Sequence, residues 1–335
     1  MMYDPGTLYI DPWLTDFSVG YAPPIFVGLR MMPEVAVDTQ SGKYRVFDRS
    51  RRVRFYSRRE PGTVANEVRG GRWSEDSFKT VEHSLQAAVA DEENQQLTSQ
   101  GGLANGVNGG SLAIQPAEDA TALINDSLLL EHELAVAALL RNTATYPGGH
   151  SVTLLAADQW DNYAGATSNP ITILATAART IEAKIGRPPN RMLINSMGIG
   201  YLEEHPDVVA RFQSAGSLRD PEAWRILIGF EGEIVVVGDD KYNDNDIMEA
   251  TEDIQSAWGK DVILAYVEDD LQENSFAFGK TFAQRYPDGT TRPTDRWREE
   301  GRKSDLVRTS WKWDTKVTSA MAGYVIKDAF GATAW

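Results

Sequence analysis

The sequence predicts an α+β fold in which two β-rich regions share one sheet around a single long helix, with a separate α/β unit inserted between them. Three observations predict it. Residues 117–143 form a helical run with no Gly or Pro. Stretches with a two-residue apolar period occur both before that run, within 31–90, and after it, from Val307. Between the helix and the second β region, residues 151–267 alternate helical and strand patterns. With 335 residues the chain can hold more than one domain.

Residues 1–30 are rich in Pro, Gly and aromatics without any period, and read as an extended arm. Tyr9, Trp13, Phe17, Tyr21 and Phe26 would be a liability on a free arm, so they are expected to lie against this chain or a neighbouring copy. Residues 31–90 read as two extended runs. One contains Tyr44, Val46, Val53 and Phe55; the other runs from Phe78 to Val89, with Val81, Leu85, Ala87 and Val89 on alternate positions. Pro61-Gly62 and Gly70-Gly71 break the Arg-rich stretch between them. A two-stranded arm with so few aliphatics needs a partner surface to be stable. Gly101 to Gly110, with five glycines, reads as a surface loop, because the Lys-Ser/Thr of a phosphate-binding loop is absent.

Pro116 suits the first position of the long helix, Glu118 and Asp119 complement the positive end of its dipole, and Arg141 complements the other end. Its length is roughly 40 Å. Ala120, Leu123, Ile124 and Leu128 mark a one-sided apolar stripe, and from Leu129 the helix is apolar nearly all round apart from Glu131, His132 and Glu133. Such a helix passes from the edge of a structure into its middle.

In the α/β unit, Asn169 caps and Pro170 opens a helix with Ile171, Leu174, Ala178, Ile181 and Ile185 on one stripe, ended by Gly186. Met192 to Ile194 is a short strand, and Ser196 is expected to cap a helix that breaks at His205-Pro206. Asp220-Pro221 starts a further helix. Ile234 to Val237 and Val262 to Val267 read as buried strands, the first as central in a sheet. From Val307, the residues Val307, Thr309, Trp311, Trp313, Thr315 and Val317 alternate with polar ones in a long strand with one buried face. Tyr324 to Phe330 reads as a last strand of the same returning β region.

Composition limits the function. There is no cysteine, which excludes disulfides, zinc–thiolate sites and thiol nucleophiles. No apolar run is long enough to span a membrane, and the N-terminal MMYDPGTLYIDPW lacks a basic start and an apolar signal core, so a soluble protein working where it is translated is expected. The net charge of −15 is uneven. Between Lys43 and Arg72 lie ten basic residues, nine of them Arg, against three acids; this local +7 leaves −22 elsewhere. Such asymmetry suggests pairing with nucleic acid or with an acidic surface of another copy.

No catalytic, cofactor or metal site is predicted. Gly198-Ile199-Gly200 sits between a strand and a helix like a dinucleotide fingerprint, but Glu203 stands where the third glycine belongs. The acid-rich run Asp239 to Asp246 fails the calcium-loop register. His83, His132, His150 and His205 share no metal-ligand spacing, and His132, between two glutamates, reads as a structural ion pair. There is no G-x-S-x-G.

Several stretches in order resemble the major capsid proteins of tailed bacteriophages of the Hong Kong 97 type. They are Arg141-Asn142-Thr143-Ala144-Thr145-Tyr146-Pro147-Gly148-Gly149-His150 after the long helix, then Val152-Thr153-Leu154 and Asp158-Gln159-Trp160-Asp161. Next come Asn169-Pro170 with the helix ending Gly186-Arg187-Pro188-Pro189-Asn190, and Val235-Val236-Val237-Gly238. Trp258-Gly259-Lys260-Asp261-Val262, Leu264-Ala265-Tyr266-Val267 and Gly323-Tyr324-Val325-Ile326-Lys327-Asp328 complete the set. The resemblance covers about residues 30–330 and is strongest over 134–195 and 258–328.

The resemblance implies an N-terminal arm (1–30), an extended β-hairpin loop (31–90), a peripheral domain with the spine helix 117–143 (91–150 and the C-terminal strands of 291–335), and an α/β axial domain (151–290). It implies self-assembly through pentamers and hexamers into an icosahedral shell of a virion. That shell would be built in the host bacterial cytoplasm and enclose double-stranded DNA without sequence-specific binding. Contacts between copies are expected at Arg49, Arg51, Arg52, Arg54, Arg58 and Arg59 of the hairpin and at Trp13 and Phe17 of the arm. A portal and cement proteins are further implied partners. With about thirty residues before the hairpin, a separate scaffolding protein is expected rather than a fused one. Relatives that cross-link covalently use reactive side chains; Lys43 and Lys79, the lysines of the hairpin region, carry no such mark.

Two other classes compete. A nucleic-acid binder using the Arg-rich 43–72 segment would lack aromatic interleaving and any helix-turn-helix or zinc pattern, and the overall charge opposes it. A nucleotide-binding α/β enzyme would rest on the Gly198 turn alone.

Overall fold

The computed structural model describes residues 9–331 except 22, 24–25, 48–56, 66–72, 93–115, 164–166, 212–227, 239–240, 244–253 and 269–275. Its longest strand, β14 (Ser304–Val317), is the one whose alternation is clearest in the sequence, and Val307, Thr309, Trp311 and Trp313 are buried. β5 (Val81–Ala90) pairs antiparallel along one edge, from Ser304↔Ala90 to Trp313↔Val81. The other edge is shared. β13 (Thr294–Glu299) pairs with its first half and β12 (Gly279–Gln284) with its second. β1 (Tyr9–Ile10) adds to β13, and β2 (Glu34–Val37) runs parallel to β12. The start and end of the chain thus share one sheet, as the sequence predicts.

A second sheet has the order β6 (Ser151–Thr153), β15 (Gly323–Lys327), β11 (Val262–Ala265), β7 (Arg191–Asn195), β8 (Glu233–Val237). The outer pairs, β6 with β15 and β7 with β8, are parallel, and the inner pairs are antiparallel. Two expectations change here. The strand at 323–327 belongs to this sheet rather than to the returning β region. Gly323 to Ile326 are all buried, as in a strand covered on both faces, so its apolar run lacks the alternation seen in β14. The aliphatic run Ile234 to Val237 lies at the sheet's edge among the described residues, with Ile234 and Val236 half-buried; the fully buried β11 is central.

α3 (Pro116–Arg141) joins the two sheets. Ile124 and Leu128 pack with Leu14 and Val307, and Leu129 packs with Trp311 and Trp313, all over the first sheet. Val136, Ala137 and Leu140 belong to the large core that also contains Met192, Leu264 and Ile326 of the second sheet. The change of character along the helix is a change of partner sheet. Leu123, assigned to the apolar stripe, is instead 65% exposed.

The N-terminal segment is not an extended arm where it is described. Asp11 accepts hydrogen bonds from the N–H groups of Trp13 and Leu14 and caps α1 (Pro12–Gly20), which buries Leu14, Thr15 and Ser18. Asp11 followed by Pro12, the first of nine helical residues, is a cap signal that the aromatic composition obscured. A short α2 (Gly28–Met31) follows. The expected hairpin is also shorter than 31–90. β3 (Ser41–Phe47) pairs with β4 (Trp73–Lys79), and the chain then enters the main sheet as β5. Thr80 marks the change: it is buried, and its N–H and hydroxyl both donate to the Gln40 carbonyl. The second apolar run therefore serves two sheets.

α4 (Pro170–Ile185) has the predicted Asn169 cap, donated to by the Thr172 N–H, and ends at Gly186 with φ 75°. Asn195, one residue before the expected Ser196, caps α5 (Ser196–Glu204), because its side chain reaches the Met197 N–H. α6 (Pro206–Arg211) restarts after His205. The helix expected at Asp220-Pro221 and the Gly101–Gly110 loop lie outside the described residues.

Candidate functional site

The enzyme-like signals resolve into packing. Gly198 lies inside α5, where an added Cβ would sit 2.8 Å from the Phe330 ring, so the glycine admits an aromatic side chain and not a phosphate. Ser168 and His205 are buried with Oγ and Nε2 3.1 Å apart, the one Ser–His contact among the described residues. The Asp207 N–H donates to His205 Nδ1, which leaves the proton on Nε2. Ser168 Oγ donates to the Gln159 carbonyl and receives the histidine's proton. A nucleophilic serine needs the opposite arrangement. Burial also holds the His205 pKa below its ordinary value. Among the described residues no three His, Asp or Glu side chains are grouped to hold a metal. Of the acid-rich run, the described part is β9 (Lys241–Asn243), paired with β10 (Ile254–Ser256).

His132 does not form the expected ion pair. It is buried under α3 against Trp311 and Trp313, each ring 5.0 Å away. The Thr281 hydroxyl donates to the Met32 carbonyl, so it accepts from His132 Nε2–H at 3.0 Å. Desolvation first, and then the charge of Arg292, push the His132 pKa down to about 3, and the ring stays neutral. Glu131 pairs with His83 instead, at 2.9 Å, and the His83 ring stacks 4.5 Å from that of Trp313. Because the folded pKa lies below the ordinary 6.5, the unfolded chain binds the extra proton between those values, and stability falls as pH falls through that window. About 2 kcal/mol of the stability difference between pH 7 and pH 5 is expected to come from this group. Denaturant unfolding of His132→Gln should show a correspondingly shallower pH dependence; an unchanged one would refute the assignment.

Two surface features stand apart from this packed body. The β3–β4 hairpin is rooted through Tyr44 and Phe78, whose rings lie 5.2 and 4.5 Å from that of Phe282 on β12. Beyond that root Lys43 pairs with Glu75 and the Tyr44 hydroxyl with Asp76, while residues 57–65 are exposed throughout. Arg58 and Arg59 are among them, with no ion pair among the described residues. Arg49, Arg51, Arg52 and Arg54 lie outside the described residues. Trp13 is 68% exposed on α1 although its Nε1–H donates to Glu118, and Phe17 is half-buried, its ring 5.6 Å from that of Tyr21. Trp13 and Phe17, four residues apart, share a face of α1.

Two buried carboxylates hold these parts together: Glu133, expected from the sequence to pair with His132, and Asp261, to which no role was assigned. Glu133 accepts from the N–H groups of Val27 and Gly28 and from Trp258 Nε1–H. Asp261 accepts from Arg141, Lys327 and the Asp328 N–H. Their sequence signal is an acid in or at the edge of an apolar run, Glu133 in the second half of α3 and Asp261 directly before β11. An acid in such a setting needs buried partners.

No family model matches the chain. It is 25% identical over 333 residues to a protein of Burkholderia phage BcepMu named major capsid protein, covering 96% of this chain and 97% of that one. Its structure is similar to that of a phage-related protein from Bordetella bronchiseptica RB50, with TM-score 0.71 and 23% identity over 96% of this chain and 98% of that one. It is also similar to a chain of the capsid of cyanophage P-SCSP1u, with TM-score 0.53 and 10% identity over 89% and 86% of the two chains. The fold is that of phage capsid subunits.

Proposed function

We propose that this chain is the major capsid protein of a tailed phage, a structural subunit that self-assembles into the closed shell around the genome. The observation that carries the proposal is the end-to-end match to a protein named major capsid protein, 25% identical over 333 residues. The surface supports it: an exposed basic hairpin and an exposed aromatic helix face are features a solitary globule gains nothing from. The sheet of β14 with α3 would be the peripheral domain, and the sheet of β11 with its helices the axial domain around the capsomer axes. The hairpin would reach over a neighbouring copy in a heterologous contact, the type that closes rings. A separate scaffolding protein, a portal and cement proteins would complete the assembly in the bacterial cytoplasm, and no catalysis is required of the subunit.

The test is electron microscopy of the purified chain, alone and with its scaffold: closed particles are expected, and a monomer at every protein concentration and ionic strength would overturn the reading. Neutralising Arg51, Arg52 and Arg54 together separates this function from nucleic-acid binding. Loss of particles with unchanged DNA affinity is expected; unchanged particles with lost DNA affinity would favour the binder.

A further inference from the structure

We infer that the outer edge of β5 pairs antiparallel with the same edge of a second copy of this chain, about a two-fold axis through Leu85. The inference rests on the shell-forming reading above and names a strand-to-strand contact between copies. β5 is held by β14 along one side over all ten residues, in an unbroken register from Ser304↔Ala90 to Trp313↔Val81. Among the described residues its other side makes no backbone hydrogen bond. Such an edge is roughly 33 Å of N–H and C=O groups on which another strand can form. Native edges are blunted by Lys, Pro, a bulge or a covering element. Val81–Ala90 has no Lys or Pro, its register with β14 has no bulge, and Val81, Glu82, Ser84, Leu85, Gln86 and Ala88 are exposed.

The backbone fixes what kind of axis is allowed. The Asp91 N–H donates to the Lys303 carbonyl, one step beyond the Ala90↔Ser304 pair. The odd-numbered residues of β5 therefore bond to β14, and the even-numbered ones turn outward. Facing residues of an antiparallel pair either both bond across it or neither does. A copy of β5 must then set even against even and odd against odd, which puts a residue on the axis.

The side chains place Leu85 there. On the face under α3, Ala87 packs with Ile124 and Leu128 and Val89 is buried, but Leu85 is 41% and Val81 55% exposed. With Leu85 on the axis it meets its own mate in a non-hydrogen-bonded pair, where side chains come closest. Val81 faces Val89 of the second copy, which continues the apolar face from one sheet to the next. Glu82 faces Ala88 and His83 faces Ala87, so no like charges oppose each other. The acids beside the edge are already engaged, Glu131 with His83 at 2.9 Å and Glu82 with Lys312 at 3.5 Å. The strand thus holds no unpaired acid to select a basic segment, and its complement is itself. A surface that matches itself closes a two-fold contact, the commonest between identical chains.

The chain has no cysteine, so introduced ones can be read directly. In assembled particles treated with a short bismaleimide, Leu85→Cys should give covalent dimers on a denaturing gel, because the two thiols flank the axis. Ala88→Cys, on the same exposed strand, should stay monomeric, since in this register its mate lies about 20 Å away. Monomers alone from Leu85→Cys particles visible by electron microscopy would overturn the inference and leave the shell reading standing, as would equal dimer yields from the two variants. Val81→Lys with Leu85→Lys replaces two exposed side chains and should lower particle yield at least tenfold without changing the unfolding midpoint. Wild-type yield from that variant would also overturn the inference. A wild-type chain that forms no particles would remove the shell reading and this inference with it.

Discussion

Asp261→Ala is expected to cost about 3 kcal/mol of folding stability, at the lower end of the range for breaking a buried ion pair. The carboxylate is 2% exposed and is shared by three donors. Its Oδ2 takes Arg141 Nε at 2.7 Å and Lys327 Nζ at 3.1 Å, and its Oδ1 takes the Asp328 N–H at 3.0 Å. The group thereby ties the end of α3 to the turn before β11 and to the end of β15. Arg141 also donates to the Ala257 carbonyl, and Gly259, at φ 58°, leaves room for the guanidinium, where a Cβ would come within 2.6 Å of it. Both cations are partly exposed, 32% and 26%, so water can compensate them once the carboxylate is gone, which keeps the cost from the upper end of that range. Asp261→Asn keeps the shape and an acceptor for Asp328 and should lose less. Urea unfolding measures both, and a loss below about 1 kcal/mol for the alanine variant would show that Asp261 does not anchor the end of α3.

Glu133→Ala is expected to cost roughly 3–5 kcal/mol, because three buried donors lose their acceptor at about 1–3 kcal/mol each and water reaches them only in part. Glu133 joins three segments: α3 itself, the start of α2 through the N–H groups of Val27 and Gly28, and the turn carrying Trp258. The close approach explains Gly28, where a Cβ would stand 2.6 Å from the carboxylate. The loss should be local as well as global. Amide exchange over residues 26–32 is expected to rise more than over β14, and equal changes in both would contradict the anchoring role. Glu133→Gln retains one acceptor oxygen and should fall between the alanine variant and the parent.

The long helix, its Pro116 start, the capped helix after Asn169 and the alternation of β14 were all legible, because each rests on a local period or a local cap. α1 was legible only as residue types. Trp13 and Phe17 stood out as aromatics needing cover, but their helix was hidden, since nine residues are too few for a period to outweigh Pro, Gly and aromatic content. The division of the 78–89 run between hairpin and main sheet was not legible either. A strand's side-chain alternation is the same whichever sheet it joins, and Thr80 marks the change only through its contact with Gln40.

The sequence by itself determined the long helix, the capped helix after Asn169, the alternating strand from Val307, the charge asymmetry between hairpin and body, and the resemblance in motif order, all of which depend on neighbours along the chain. Only the tertiary structure decided which sheet 323–327 joins, that His132 is neutral while His83 takes the glutamate, and that Glu133 and Asp261 tie α3 to distant segments of the chain. The physical reason is distance along the chain. Pairing partners, desolvation and surface position are set by residues 48 to 279 positions away, as in His83–Glu131 and Thr15–Thr294, and no local period encodes them.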